Sequence, residues 1–237
     1  MVNEQAWKEL RKELDSKGVS LVAVSKTKPA SDIRALYDLG QRDFGENYVQ
    51  EMVDKQAVLP EDIKWHYIGH LQSNKVRHIA PFVYLIHAVD SFKVLVEINK
   101  QAEKNNRVID VLLQMHIADE DTKFGMDEKE LLDLLNYYEA QKKELNHVVI
   151  RGLMGMASFT DDVEKVRSEF HRLYGFFDNR KRTNFLFQDY FSICSMGMSG
   201  DFEVAIEEGA TMVRVGSALF EGIELDHAEE DGEHDAH

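Results

Sequence analysis

The group best placed to do chemistry is the amine of Lys26. It follows the apolar run Leu21-Val22-Ala23-Val24 and Ser25, and precedes Thr27-Lys28-Pro29. A short apolar run closed by polar residues and a proline reads as a buried strand of a parallel sheet. Lys26 then stands where that strand leaves the core, where its amine can attack a carbonyl or turn outward into solvent. Lys28 shares its strand parity, so both lysines stay open on pattern alone. Two glycine-rich turns suggest a second chemistry: Ser195-Met196-Gly197-Met198-Ser199-Gly200-Asp201 and Arg214-Val215-Gly216-Ser217. Backbone N–H groups where a strand runs into a helix, joined by a serine hydroxyl, suit a phosphate. Either turn alone could be nothing more than a tight connection. Both together, opposite a strand-end lysine, favour an anion site.

The elements that must position these groups alternate along the chain. A leading amphipathic helix carries Trp7, Leu10 and Leu14 at helical spacing. Strands are expected at 21–24, 43–47, 65–69, 84–89, 110–117, 148–156, 191–198 and 212–216. Each but the last is followed by a helical pattern, including 31–39 closed by Gly40, 91–105 capped by Ser91, and 127–140 with Leu131, Leu134, Leu135 and Tyr138 on one stripe. Alternating strands and helices imply parallel pairing through right-handed crossovers. Eight such units predict an α/β fold, a single (β/α)8 TIM-type barrel with an extra N-terminal helix. A doubly wound open sheet is the alternative, against which no G-x-G-x-x-G follows the first strand. No Gly/Ser-rich linker divides the chain. One barrel domain over 1–225 is therefore expected, followed by an acidic, disordered tail over 226–237.

In such a barrel, ligands meet the C-terminal ends of the strands. Those ends carry Lys26, Asn47, Gly69-His70, Asp90, the 119–125 loop, Ala157-Ser158, Ser199 and Gly216-Ser217. They lack the paired acids of a glycosidase, a G-x-S-x-G elbow and a P-loop. The net charge of −15 disfavours nucleic acid and anionic membrane partners. The single cysteine, Cys194, lies in an apolar strand pattern and reads as packing in a reducing compartment. With no secretory pattern at the start and no apolar run of roughly 20 residues, a cytoplasmic protein is expected.

A lysine opposite a phosphate cradle narrows the ligand to phosphorylated carbonyl compounds, such as pyridoxal 5'-phosphate (PLP) or a sugar-phosphate aldehyde. Several blocks then become specific: Val22-Ala23-Val24-Ser25-Lys26-Thr27-Lys28-Pro29, Phe44-Gly45-Glu46-Asn47-Tyr48, and Trp65 through Lys75. Gly152-Leu153-Met154, Gly197-Met198-Ser199-Gly200-Asp201 and Arg214-Val215-Gly216-Ser217 join them. Together, from about residue 21 to 220, the chain closely resembles the pyridoxal phosphate homeostasis protein family. That resemblance implies a barrel like the PLP-bearing one of alanine racemase, and an imine between PLP and Lys26. It also implies phosphate contacts at Ser199, Gly216 and Ser217, Arg214 near the pyridine nitrogen, and Asn47 close to the ring. His116 departs from the asparagine expected in the family, which puts that position's polar contact in doubt.

A guanidinium cannot accept a proton, so Arg214 would leave the ring nitrogen unprotonated and the cofactor a poor electron sink. Alanine racemase takes its second base from another domain, and this chain ends soon after the eighth strand. The expectation is a PLP-binding protein of vitamin B6 and amino-acid homeostasis, with no catalytic residues and no metal. Its expected partners are PLP and apo PLP-dependent enzymes as recipients, and its expected state is a monomer. The rival activity is an amino-acid racemase drawing a second base from His66, His70 or Tyr48. A third reading is a structural or regulatory protein that merely retains the barrel. For His66 and His70, a core or hydrogen-bonding role is the alternative to chemistry.

Overall fold

The computed structural model describes residues 1–121 and 124–220. The acidic tail assigned to 226–237 lies outside the described residues. Eight parallel strands close into a barrel in sequence order: β1 (Ser20–Val24), β2 (Asp43–Glu46), β3 (Lys64–Tyr67), β4 (Leu85–Val89), β5 (Ile109–Met115), β6 (Val148–Gly155), β7 (Ile193–Ser195) and β8 (Met212–Val215). β8 returns to pair with β1, setting Ser20 opposite Met212 and Val22 opposite Arg214. The helices are α1 (Glu4–Lys17), α2 (Ala30–Leu39), α3 (Val49–Val58), α4 (Val76–Ile79), α5 (Phe92–Lys104), α6 (Glu128–Ala140), α7 (Val163–Arg182) and α8 (Phe202–Glu207). A short 3₁₀ turn, Ser73–Lys75, leads into α4.

Local sequence accounts for most of these boundaries. Ser91 accepts a hydrogen bond from the Val94 N–H at the start of α5, and Gly40 ends α2 in the left-handed conformation that glycine adopts at least cost. Asp127 and Glu130 form a reciprocal capping box on α6, whose Leu131, Leu134, Leu135 and Tyr138 are all buried. On the N-terminal helix, Leu10 and Leu14 are buried. Trp7 Nε1 donates to Gln41 Oε1 at 3.0 Å, and Gln41 in turn donates to the Leu21 carbonyl.

Alternation along the strands divides the buried residues into two sets. Leu21, Ala23, Phe44, Trp65, Tyr67, Ile86, Val111, Leu113, Ile150 and Leu153 face the helix layer and belong to the main core. Val22, Leu85, Ala88, Leu112, Met154 and Met212 form a second cluster inside the barrel. Each large aliphatic side chain so buried stabilises the fold by about 1.5–3 kcal/mol.

The largest departure from the expected strand boundaries is at β7. β7 spans three residues rather than the whole of 191–198. Phe191 leaves the ladder to stack on Phe185, with centroids 4.2 Å apart, and Gly197 turns the backbone at φ +103°. α7 ends on Arg180, Lys181 and Arg182, whose charges suit a helix C-terminus. Burial pushes the Cys194 thiol up to about 12, as a packing role requires. Among the described residues, no helix is long and apolar enough to cross a membrane.

Candidate functional site at the C-terminal barrel mouth

β1 ends at Val24, and the chain turns at once. The Lys28 N–H donates to the Ser25 carbonyl at 3.0 Å, and Thr27 between them sits at φ +63°. A β-branched residue in the left-handed region is strained, at a cost of about 1–3 kcal/mol, and needs surroundings that hold it. They come from β2 and α3. The Thr27 N–H donates to Glu51 Oε1, and the Lys55 ammonium donates to the Ser25 carbonyl at 2.7 Å, to Glu51 Oε1 at 2.6 Å and to Glu46 Oε1. The Ser25 hydroxyl completes the cluster by donating to Glu46 Oε1 at 2.8 Å. Two carboxylates thus share one ammonium, and burial pushes Glu46 up to about 7. The turn presents Lys26 half-buried, whereas Lys28 is buried with its ammonium 5.9 Å from the centroid of the Phe220 ring. The strand therefore ends before parity could relate the two lysines.

Beside this turn, β2 and β3 bring Asn47 and Gly69 into contact. Asn47 Oδ1 is buried without a hydrogen-bond partner, which points to a group the bare protein does not supply. The Tyr67 hydroxyl donates to the Asn47 carbonyl at 3.0 Å. A Cβ on Gly69 would lie 2.2 Å from that same carbonyl oxygen, so only glycine fits this approach. Gly69→Ala is expected to destabilise the fold by about 1–3 kcal/mol through this overpacking, read as a lowered midpoint in denaturant unfolding. An unchanged midpoint would mean that the Asn47 backbone yields freely.

On the other side of β1, the turns after β7 and β8 meet. Ser199 Oγ accepts a hydrogen bond from the Gly216 N–H at 3.1 Å, and Ser217 next to it is exposed. Asp201 accepts from the Met198 N–H at 2.7 Å and sets the first turn. Arg214 lies deeper, 2% exposed, donating to Ser195 Oγ and to the Gly155 carbonyl. Burial lowers its guanidinium to about 10, which still leaves it charged near neutrality. Thus Ser199 and Gly216 are bonded to each other, Lys26 and Asn47 follow neighbouring strands, and Arg214 rises from the strand beside Lys26's own. His116 is half-buried, with its N–H on the Met126 carbonyl.

The match to the family model for the alanine racemase N-terminal domain spans residues 4–223. The pyridoxal phosphate homeostasis protein of Aquifex aeolicus is 42% identical over 201 residues, which cover 84% of this chain and 85% of that one. This chain belongs to the pyridoxal phosphate homeostasis protein family. PipY of Synechococcus elongatus, solved without PLP, superposes with a TM-score of 0.80 at 35% identity, covering 92% of this chain and 99% of PipY. The same protein with PLP bound gives 0.78. Alanine racemase from Bartonella henselae, 18% identical, shares the barrel fold with a TM-score of 0.65 over 94% of this chain and 60% of the racemase.

Within this family member, the buried cluster under the Lys26 turn escaped sequence reasoning. Glu51 and Lys55 are spaced i, i+4, as an ordinary exposed helix pair would be; only α3 packing against β2 buries Lys55 and half-buries Glu51. His66 takes the hydrogen-bonding alternative. It is fully buried inside the barrel, between Asp43 and His87. His70 is exposed at the mouth, stacked on Phe124 with centroids 3.8 Å apart, and Tyr48 stands at the N-terminus of α3.

Proposed function

We propose that this chain binds PLP at the C-terminal barrel mouth, holds it covalently through the Lys26 amine, and acts as a non-catalytic carrier in vitamin B6 and amino-acid homeostasis. The observation that carries the reading is the strained turn. The Glu46–Lys55–Glu51 cluster holds the backbone at Thr27, and this turn leaves Lys26 half-buried at the same end of the strands as the Ser199–Gly216 pair. When bound, the cofactor supplies an aldehyde able to condense with a primary amine.

The chain's own residues suit that group. A phosphate oxygen can replace Ser199 Oγ as the acceptor of the Gly216 N–H, and the Ser199 and Ser217 hydroxyls can turn to donate to it. Asn47, with its buried unpaired oxygen, lies close to where the ring would sit. Arg214 can only donate, so beside the ring nitrogen it would leave that atom unprotonated and withhold the electron sink that transamination needs. The names of the relatives and the PLP-bound PipY structure support the same reading. Against a racemase, both ring nitrogens of His66 are engaged within the barrel, which takes it out of contact with a substrate at the mouth. The proposed setting is the cytoplasm, with a monomer handing PLP to apo PLP-dependent enzymes.

The test loads the purified protein with PLP, removes the excess, and mixes it with an apo PLP-dependent enzyme. Recovery of that enzyme's activity is expected. Loaded protein that leaves the enzyme inactive overturns the carrier role, and protein that takes up no PLP overturns the whole reading. Solvent deuterium entering Cα of an added amino acid, with turnover, would support the racemase instead.

A further inference from the structure

The inside of the barrel holds a polar chain that the site described above does not account for. From the guanidinium at the mouth it runs through Ser195 on β7 to His87 Nδ1 at 3.0 Å. It continues from His87 Nε2 to His66 Nδ1 at 2.8 Å, and from His66 Nε2 to Asp43 Oδ1 at 2.8 Å. Ser195, His66 and His87 are completely buried. Asp43 begins β2 and lines a cavity of about 410 Å³ at the opposite, N-terminal mouth, together with Ser20, Lys64, Tyr84 and Arg151.

With both imidazoles neutral, the carboxylate end sets the direction of every bond. The Asp43 carboxylate only accepts, so neutral His66 and His87 each carry their proton on Nε2, and the Ser195 hydroxyl donates to the free His87 Nδ1 while its oxygen accepts from Arg214. His87 then carries its proton on Nε2 and donates to His66 Nδ1, while His66 donates from Nε2 to the Asp43 carboxylate. Every member is satisfied with both imidazoles neutral, and burial holds His87 well below the usual histidine range. Arg214's hydrogen bonds go to neutral acceptors, Ser195 Oγ and Gly155 O. Its charge is answered by Asp201 at a distance, and by a carboxylate on the far side of the barrel through three hydrogen-bonded side chains. Polar residues buried inside a barrel cost stability unless they are paired, and the neighbouring Val22, Leu85 and Leu112 show the apolar filling this space accepts.

We propose that Asp43, His66, His87 and Ser195 are positioning residues that orient the Arg214 guanidinium across the barrel, a role that rests on Arg214 meeting the PLP ring nitrogen. The chain leaves Arg214 three further N–H donors and one fixed plane. Loss of its distant carboxylate end would let both histidines reverse tautomer and release Ser195.

Two measurements test this. In ligand-free protein, ¹⁵N NMR should show both imidazoles neutral and protonated on Nε2; a proton on His87 Nδ1 overturns the chain. Asp43→Ala, at the mouth remote from the cofactor, should shift the Arg214 Nε signal in ligand-free protein. It should also raise the Kd for PLP about tenfold, the scale of one hydrogen bond to a charged group. Asp43→Asn keeps an acceptor for His66 and should restore binding to within about threefold of the unsubstituted protein. If Asp43→Ala binds PLP normally with an unmoved Arg214 signal, the positioning role is wrong while the PLP reading stands. If the unsubstituted protein takes up no PLP, that reading fails, and the tautomers and the Arg214 signal still decide the chain. Should Asp43→Ala not fold, the Asn variant and the tautomers of the unsubstituted protein decide it.

Discussion

Lys26→Ala is expected to abolish covalent attachment of PLP, while Lys28→Ala retains it. The two lysines are separated by one residue, yet their surroundings differ in kind. Lys28 follows the left-handed Thr27, is buried, and holds its ammonium over the Phe220 ring. Its loss should cost the fold only the cation–π contact and the packing of its stem, of which the cation–π part is about 0.5–2 kcal/mol. Lys26 sits half-buried in the turn after β1, at the same end of the strands as Asn47 after β2, Ser199 after β7 and Gly216 after β8. Borohydride reduction of loaded protein, digestion and peptide mass analysis should place the pyridoxyl group on the peptide containing Lys26. In Lys26→Ala the reduced label should vanish, and in Lys28→Ala it should remain. A label of undiminished yield on Lys28 in the first variant would overturn the assignment.

Lys55→Met should cost about 3–5 kcal/mol of stability at pH 8, because it leaves the buried Glu46 carboxylate beside the half-buried Glu51 without their shared cation. The pH dependence has a definite sign. Glu46 is raised by burial to about 7 in the folded state against 4.5 for the free group, so the folded state holds its proton more tightly than the unfolded chain. The stability this group contributes is full below about 4.5 and is lost as pH rises through about 7. Lys55 is the main force opposing that rise, and removing it lifts Glu46 further. The Lys55→Met defect should therefore be smaller at pH 5, where Glu46 is protonated in either protein, than at pH 8. Denaturant unfolding of both proteins at the two pH values checks this; an equal defect at both would mean that Glu46 is not the uncompensated charge. The same variant frees the Thr27 N–H's partner and the Ser25 carbonyl, so weaker PLP attachment at Lys26 should accompany it.

The sequence by itself determined the architecture and pointed to the barrel face where PLP binding is proposed. Strand and helix periods are local properties, so eight alternating units were legible without any long-range contact, and glycines with serines marked the turns after β7 and β8. Boundaries failed where tertiary packing competed with local pattern, as when Phe191 stacked on Phe185 instead of extending β7. What only the tertiary structure decided are the relations between distant residues. Lys26 and Lys28 look alike in a string of letters; they separate once Glu51, on a helix packed against β2, holds Thr27 at a positive φ. Glu51 and Lys55 look like a surface pair until that packing buries Lys55 and half-buries Glu51 beside Glu46. His66, His87 and Ser195 carry no sequence signal as a set, since His87 and Ser195 are 108 positions apart. Barrel closure alone brings their strands around one interior, where, away from water, unpaired polar groups are costly and must find one another.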